Sequence, residues 1–255
     1  MSAPAISLAA EPIAHLGDFP ITNTLVVSLV ISLSLIIFSL IFNRFIKKIP
    51  SGLQNMIEIV ISGAIDFMES IIQNRKQAYA FFPVVFTIFL FVILSNWIEL
   101  VPGLGSIGIW EEHHGETILI PFIRSASADM NITLAIALIA MLSVQVYGII
   151  SLGISEYAQK FFVSPWQKPY IIGTFVGALE IISEFAKVIS FSFRLFGNIF
   201  AGEVLLLVVG FLVPYLVPLP FLFLEIFVGF IQALVFSMLT LVFIKNASTS
   251  HHAEH

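Results

Sequence analysis

Apolar residues fill this chain in long blocks, and short polar intervals separate them. Residues 21–42 are almost uninterrupted in apolar or hydroxyl side chains. A helix needs about 20 such residues to cross a hydrocarbon layer about 30 Å thick, so this block predicts a first span. Arg44, Lys47 and Lys48 follow at once. Basic residues flanking a span mark its cytoplasmic end, which makes residues 1–20 an external tail. Residues 51–80 carry a different pattern. Ile57, Val60, Ile61, Ala64, Ile65, Met68, Ile71 and Ile72 recur at steps of three and four, with Glu58, Asp66, Glu69 and Asn74 between them. That period predicts an amphipathic helix along the cytoplasmic interface, with Arg75 and Lys76 keeping its far end on that side.

Pro83 is expected to open a second span, residues 83–101, with Trp97 as an interfacial anchor near its outer end. Residues 102–128 then form an external loop. Asp129 suits the positive N-terminus of a third span, residues 129–151. The polar stretch with Glu156, Lys160, Trp166 and Lys168 reads as a cytoplasmic loop. Residues 170–212 are apolar throughout and contain no proline. One continuous helix of that length would measure about 64 Å, twice the hydrocarbon thickness, so the segment either folds back or lies strongly tilted. Pro214, Pro218 and Pro220 make a turn, residues 219–245 return, and residues 246–255 form a cytoplasmic tail. The predicted fold is a single all-α polytopic membrane domain: an N-terminal transmembrane helix, an interfacial amphipathic helix, two transmembrane helices, and two long, strongly tilted membrane helices forming a hairpin.

Composition narrows the function classes. The chain is 58% hydrophobic and 11% charged, whereas soluble domains average about 25% charged, so the bilayer is its solvent. The absence of cysteine removes thiol catalysis and cysteine-based metal sites. The net charge of −5 comes mostly from an acidic loop and tail and gives no reason to expect a nucleic-acid partner. The first 20 residues lack the basic and apolar regions of a cleavable signal. No phosphate-binding glycine loop, zinc-protease motif or nucleophile elbow is present, so no cofactor is expected. Glu111, Glu112, His113 and His114, and the terminal HHAEH, have metal-ligand chemistry but no defined spacing. A solvated loop and a disordered tail fit them better.

Against this background, residues 180–203 stand out. Glu180, Glu184, Lys187, Arg194, Asn198 and Glu203 sit inside the longest apolar run. A charge at the bilayer centre costs about 2.5–3.5 kcal/mol or more, so such groups are used or paired. Arg194 is the strongest case, because a guanidinium does not shed its proton to escape that cost. On a helix, the first five groups lie within about 80° of one another. Glu203 points to the opposite side, about 13–14 Å farther along the axis. Glu180 and Glu184 lie seven and three residues before Lys187 and could pair with it, whereas Arg194 has no carboxylate three or four residues away. In the last helix Glu225 and Gln232 share a face. A hairpin closed near 214–220 brings Glu225 towards Glu203, and Gln232 towards the Arg194 level. Asn96 and Glu99 lie near the outer end of the second span, where Glu99 can guide protons or simply reach water.

At Arg194-Leu195-Phe196-Gly197-Asn198, followed by Ala201-Gly202-Glu203, the chain resembles subunit a of F-type ATP synthases in the bacterial and chloroplast style. The resemblance extends to NWIELVP at 96–102, SADMNITL at 127–134, Glu180 and Lys187, and Gln232-Ala233. It implies a stator that wraps a rotating ring of c subunits, joins peripheral-stalk b subunits, and leaves phosphoryl transfer to other subunits. It further implies two aqueous half-channels separated by Arg194, with Asn198 and Gln232 near the arginine. Glu203 and Glu225 match positions of the external half-channel, and Glu180 matches one of the cytoplasmic half-channel. Glu99 matches an acidic position at the second span's outer end. Many family members carry a histidine at one of the Glu203 and Glu225 positions, so a histidine relay is not available here. Two carboxylates held close do not both ionise easily, which would help that pair hold and pass a proton.

The expected place is the inner (plasma) membrane of a bacterium, with a thylakoid membrane as the alternative. Other classes remain open from the residues themselves. A stand-alone ion transporter would use Arg194 as an anion site. An intramembrane enzyme would use Glu203 and Glu225 as an acid–base pair. A purely structural subunit would tolerate loss of Arg194.

Overall fold

Thr22 accepts a hydrogen bond from the Leu25 amide at 3.3 Å and starts helix α1, Asn23–Phe45. The computed structural model describes residues 10–101, 103–113, 116–159, 170–213 and 216–249. Helix α1 is apolar on all sides, and Leu29, Leu33, Ile37, Leu40 and Ile41 stand exposed, as a helix facing lipid requires. Four further elements among the described residues are long and apolar enough to cross a membrane: 75–100, 130–152, 175–212 and 218–247. The chain is an all-α polytopic membrane protein.

Two short antiparallel hairpins flank these helices. Strands β1 (Pro12–Leu16) and β2 (Phe19–Thr22) pair around Gly17, whose φ of +66° favours glycine. Strands β3 (Gly108–His113) and β4 (Glu116–Pro121) pair from Gly108↔Pro121 to His113↔Glu116. Both fall where the sequence predicts a tail and a loop. They are short and polar-flanked, so no apolar alternation announces them. Asn23 ties the two regions together by donating from Nδ2 to the Pro121 carbonyl at 3.2 Å.

The amphipathic helix ends at Ile72, where its apolar repeat ends, and not at residue 80. Helix α2 covers Leu53–Ile72 and packs Ile65, Met68 and Ile72 inward. Gln73 adopts a left-handed cap at φ +61°, with its amide on the Glu69 carbonyl. Asn74 then caps a new helix, α3 (Arg75–Trp97), by accepting from the Gln77 amide at 3.2 Å. Pro83 therefore lies inside α3 rather than opening it. Membrane helices tolerate such a proline when neighbours satisfy the freed backbone. A 3₁₀ turn, Ile98–Leu100, extends α3 and carries Glu99.

Asp129 caps helix α4 (Met130–Leu152), accepting from the Asn131 amide at 2.8 Å. Its other oxygen accepts from the buried Thr24 hydroxyl at 2.8 Å, which joins the starts of α1 and α4. Removing the carboxylate loses a cap and leaves the buried Thr24 hydroxyl with only the Thr22 hydroxyl, 3.1 Å away. Asp129→Ala is therefore expected to lower stability by about 2–4 kcal/mol, and Asp129→Asn by much less, as read by denaturant unfolding in detergent.

Helix α5 (Ile154–Gln159) turns back beneath α4. Helix α6 then runs without a break from Tyr170 to Leu212, 43 residues, and helix α7 returns over Pro218–Ala247. Pro218 sits in the first turn of α7, where its missing N–H costs nothing. Ala137, Ala140, Leu195, Ala233, Phe236 and Leu241 form the centre, where α3, α4, α6 and α7 meet. Small side chains there let the backbones approach closely. Residues 160–169 and the HHAEH tail lie outside the described residues.

Candidate functional site

The polar groups of α6 separate into three neighbourhoods along its length. Nearest the start, Glu180 is half-buried. One turn on, Glu184 and Lys187 form an ion pair at 2.8 Å. Gln145 of α4 donates to the other Glu184 oxygen at 3.1 Å, and the Tyr157 hydroxyl donates to Gln145. The Lys187 ammonium also stands 5.0 Å from the centre of the Phe243 ring. The spacing-based pairing of Glu184 with Lys187 is thus what the chain adopts.

Arg194 has no such arrangement. It lies exposed on α6, and among the described residues no carboxylate is within ion-pair distance. Its contacts are a 3.5 Å hydrogen bond to Ser190 Oγ and the Phe191 ring at 5.9 Å. One turn on, Asn198 donates to Gln232 Oε1 of α7 at 2.7 Å. Gln232 is buried and Asn198 exposed, so this bond joins the two long helices where the interior meets the surface. The Thr133 and Ser192 hydroxyls, 3.0 Å apart, join α4 to the side of α6 opposite Arg194.

Beyond Asn198 a cavity of about 460 Å³ opens between α3, α6, α7 and the segment before α4. Its lining brings together Asn96, Glu99, Arg124, Glu203 and Glu225 among leucines. A larger groove of about 760 Å³ between α1, α2 and α3 has an almost wholly apolar lining and touches none of these groups. Three carboxylates from three elements share the smaller, polar cavity. Glu225 is buried and lies directly on Gly202 of α6: a Cβ built on that glycine would fall inside its carboxyl group. Asn96 donates to the Gly229 carbonyl and Trp97 Nε1 to the Ile226 carbonyl, both at 3.0 Å, which fixes α3 against α7 beside it.

Glu203 has a partner that sequence reasoning does not provide. Arg124 grips it from the segment before α4, with Nε 2.9 Å from Oε1 and an Nη donating to Oε2 at 3.0 Å. The arginine side chain is 6% exposed and the glutamate 20%, so little water screens the pair. Removing one member of such a pair typically costs about 3–5 kcal/mol. The expected opposition of Glu203 and Glu225 therefore takes another form: both reach the same cavity, Glu203 held by Arg124 and Glu225 seated on Gly202. A signal for Arg124 was available, since it is the only Lys or Arg between Lys76 and Lys160.

Of the residues singled out from sequence, Glu99, Glu203 and Glu225 share one cavity, Asn198 and Gln232 touch, Arg194 stands apart, and Glu180 lies towards the opposite end. Among the described residues no three His, Asp or Glu side chains cluster so as to hold a metal ion.

The profile of the ATP synthase A chain family matches residues 24–245. The chain is 35% identical over 236 residues to ATP synthase subunit a of Gloeobacter violaceus, covering 91% of this chain and 86% of that protein. It is 30% identical to ATP synthase subunit a of Moorella thermoacetica, over 94% of this chain and 96% of that one. With the Syntrophobacter fumaroxidans ATP synthase subunit a the identity is 32%, over 95% and 91% of the two chains.

Proposed function

The chain belongs to the ATP synthase A chain family, and from that premise we propose that it is the proton-translocating stator of a rotary ATP synthase. In this reading it catalyses no bond chemistry. It faces a rotating ring of c subunits, contacts peripheral-stalk b subunits, and offers protons two aqueous half-channels that Arg194 keeps apart. The observation that carries the reading is the separation of charges on α6. Arg194 projects from the chain's surface with no carboxylate partner among the described residues, while Glu99, Glu203 and Glu225 gather in a cavity farther along.

The physics follows from that layout. A ring carboxylate passing Arg194 is favoured in its ionised form, so it must release its proton before it passes. The same fixed cation repels a free proton and closes the direct route between half-channels. Each charge crossing 100 mV gains about 2.3 kcal/mol, which is coupled to rotation only if protons cross on the ring. Asn198 and Gln232 then hold α6 and α7 in register beside the arginine, and Glu180 belongs to the other half-channel.

Charge distribution supports an orientation. Arg44, Lys47, Lys48, Arg75, Lys76 and Lys245 lie at one end of the helices, whereas the cavity end has Arg124, which Glu203 neutralises. The positive-inside rule makes the basic end cytoplasmic and the three-carboxylate cavity the external half-channel. A bacterial plasma membrane is the proposed location.

The absence of native cysteine makes a direct test clean. Ser190→Cys and Ala201→Cys flank Arg194 on its exposed face. Each is expected to form a disulfide with a cysteine placed beside the ring helix's carboxylate, whereas Leu142→Cys on the exposed face of α4 is not. Cross-linking at Leu142 alone would remove the ring from the Arg194 face.

A further inference from the structure

Two carboxylates of the polar cavity stand on elements whose main packing is with other helices. Glu99 extends α3, which packs on α1, α2 and α7; Glu203 belongs to α6, which packs on α4 and α7. One dipeptide touches both. Arg124 holds Glu203 through one hydrogen bond, from an Nη to Oε2 at 3.0 Å, with Nε also at ion-pair distance, 2.9 Å from Oε1. The Ser125 amide donates to Glu99 Oε2 at 2.9 Å, and the Ser125 hydroxyl donates to the Ser95 carbonyl at 2.8 Å. Both residues are buried. Neighbouring residues have Cα atoms about 3.8 Å apart, so two such contacts from adjacent positions leave little freedom between their targets.

We propose that Arg124 and Ser125 are positioning residues, a clamp that sets the separation of Glu99 and Glu203 so that both face the cavity with Glu225 as one set of proton acceptors. This rests on the proton-translocating reading above. Arg124 suits the task because its planar fork fixes a carboxylate in direction as well as distance, which an ammonium does not. It is not a proton carrier itself, since a guanidinium keeps its proton. The mount is the β3–β4 hairpin, from which the chain leaves through a 3.0 Å bond between the Phe122 amide and the Ile107 carbonyl. Asp129 then anchors the following turn on Thr24. The clamp is thus held from outside the four-helix centre.

The deciding variant is the charge exchange Arg124→Glu with Glu203→Arg, in the complete membrane complex reconstituted into vesicles. It preserves an ion pair at this place but moves the carboxylate from α6 to the loop. Assembly and proton flux per assembled complex are measured separately. The exchange is expected to assemble better than either single change, with flux remaining about 10-fold or more below wild type, because a misplaced group loses reactivity steeply with distance. Wild-type flux in the assembled exchange variant would show that only the pairing matters and overturn the proposal. If the exchange does not assemble, Arg124→Lys decides. It keeps the charge without the fork, and reduced flux in assembled complex is expected. Unchanged flux, or failure of this variant to assemble, overturns the clamp. Failure of the underlying reading is distinguishable: the unmodified complex would then show no flux that depends on Arg194.

Discussion

Complexes carrying Arg194→Ala are expected to assemble at the wild-type level and to make no ATP from a proton gradient. Assembly should survive because the side chain holds almost nothing in place. It lies exposed, with one long bond to Ser190 and a peripheral contact to the Phe191 ring. Leu195 and Phe196, its buried neighbours, keep α6 packed without it. On the proposed function, the loss comes from what the cation does to a passing carboxylate. A nearby opposite charge shifts ionisation by about 1–3 pH units, so beside alanine a ring carboxylate would ionise about 10- to 1000-fold less often. On the proposed function the same deletion also removes the barrier between two half-channels, so any gradient that remains would be dissipated rather than coupled. Arg194→Lys should recover little. A lysine charge is compact and strongly hydrated, and it yields its proton in an apolar setting where arginine does not. The check is gradient-driven ATP synthesis in vesicles, beside a measure of assembled complex. Normal coupled synthesis from assembled Arg194→Ala complexes would leave only a structural role for this face.

How far the sequence carried the fold depended on how local each cause was. The spans follow from apolar length alone, and α6 runs unbroken for 43 residues because no proline interrupts it. The Asp129 cap and the Glu184–Lys187 pair depend on residues two or three positions apart, within reach of a helical wheel. The break at Gln73 and Asn74 was less visible, because apolar residues continue on both sides of it and only a left-handed cap divides them. Arg124 was beyond local pattern altogether, since it meets Glu203 across 79 positions of chain. No periodicity encodes a contact of that separation. What the sequence does contain is the anomaly of a solitary basic residue on an otherwise acidic flank, together with carboxylates that hydrocarbon forbids unless something balances them.

A second large effect is expected from the smallest possible change, Gly202→Ala. Glycine is costly inside a helix, by about 1 kcal/mol relative to alanine, so at most positions this substitution would strengthen α6. Here the new methyl group would occupy the place of the Glu225 carboxyl. That carboxyl is the free end of a flexible side chain, so the two helices need not separate; the carboxyl group itself must leave. The substitution therefore isolates the position of Glu225 from the packing of the hairpin. Displacing a reacting group by about 1 Å can cost about 100-fold, so proton flux per assembled complex should fall by about 10- to 100-fold while assembly is unchanged or improved. Glu225→Asp shortens the side chain by one methylene and withdraws the carboxyl from the methyl group. The double variant Gly202→Ala with Glu225→Asp is accordingly expected to recover flux relative to Gly202→Ala alone. Vesicle acidification driven by ATP, normalised to assembled complex, measures both variants. If Gly202→Ala conducts normally, the carboxyl carries its proton equally well from elsewhere, and its seat on the bare backbone of α6 is incidental. If the variant instead fails to assemble, the close approach of α6 and α7 at this point is a packing requirement rather than a proton-handling one.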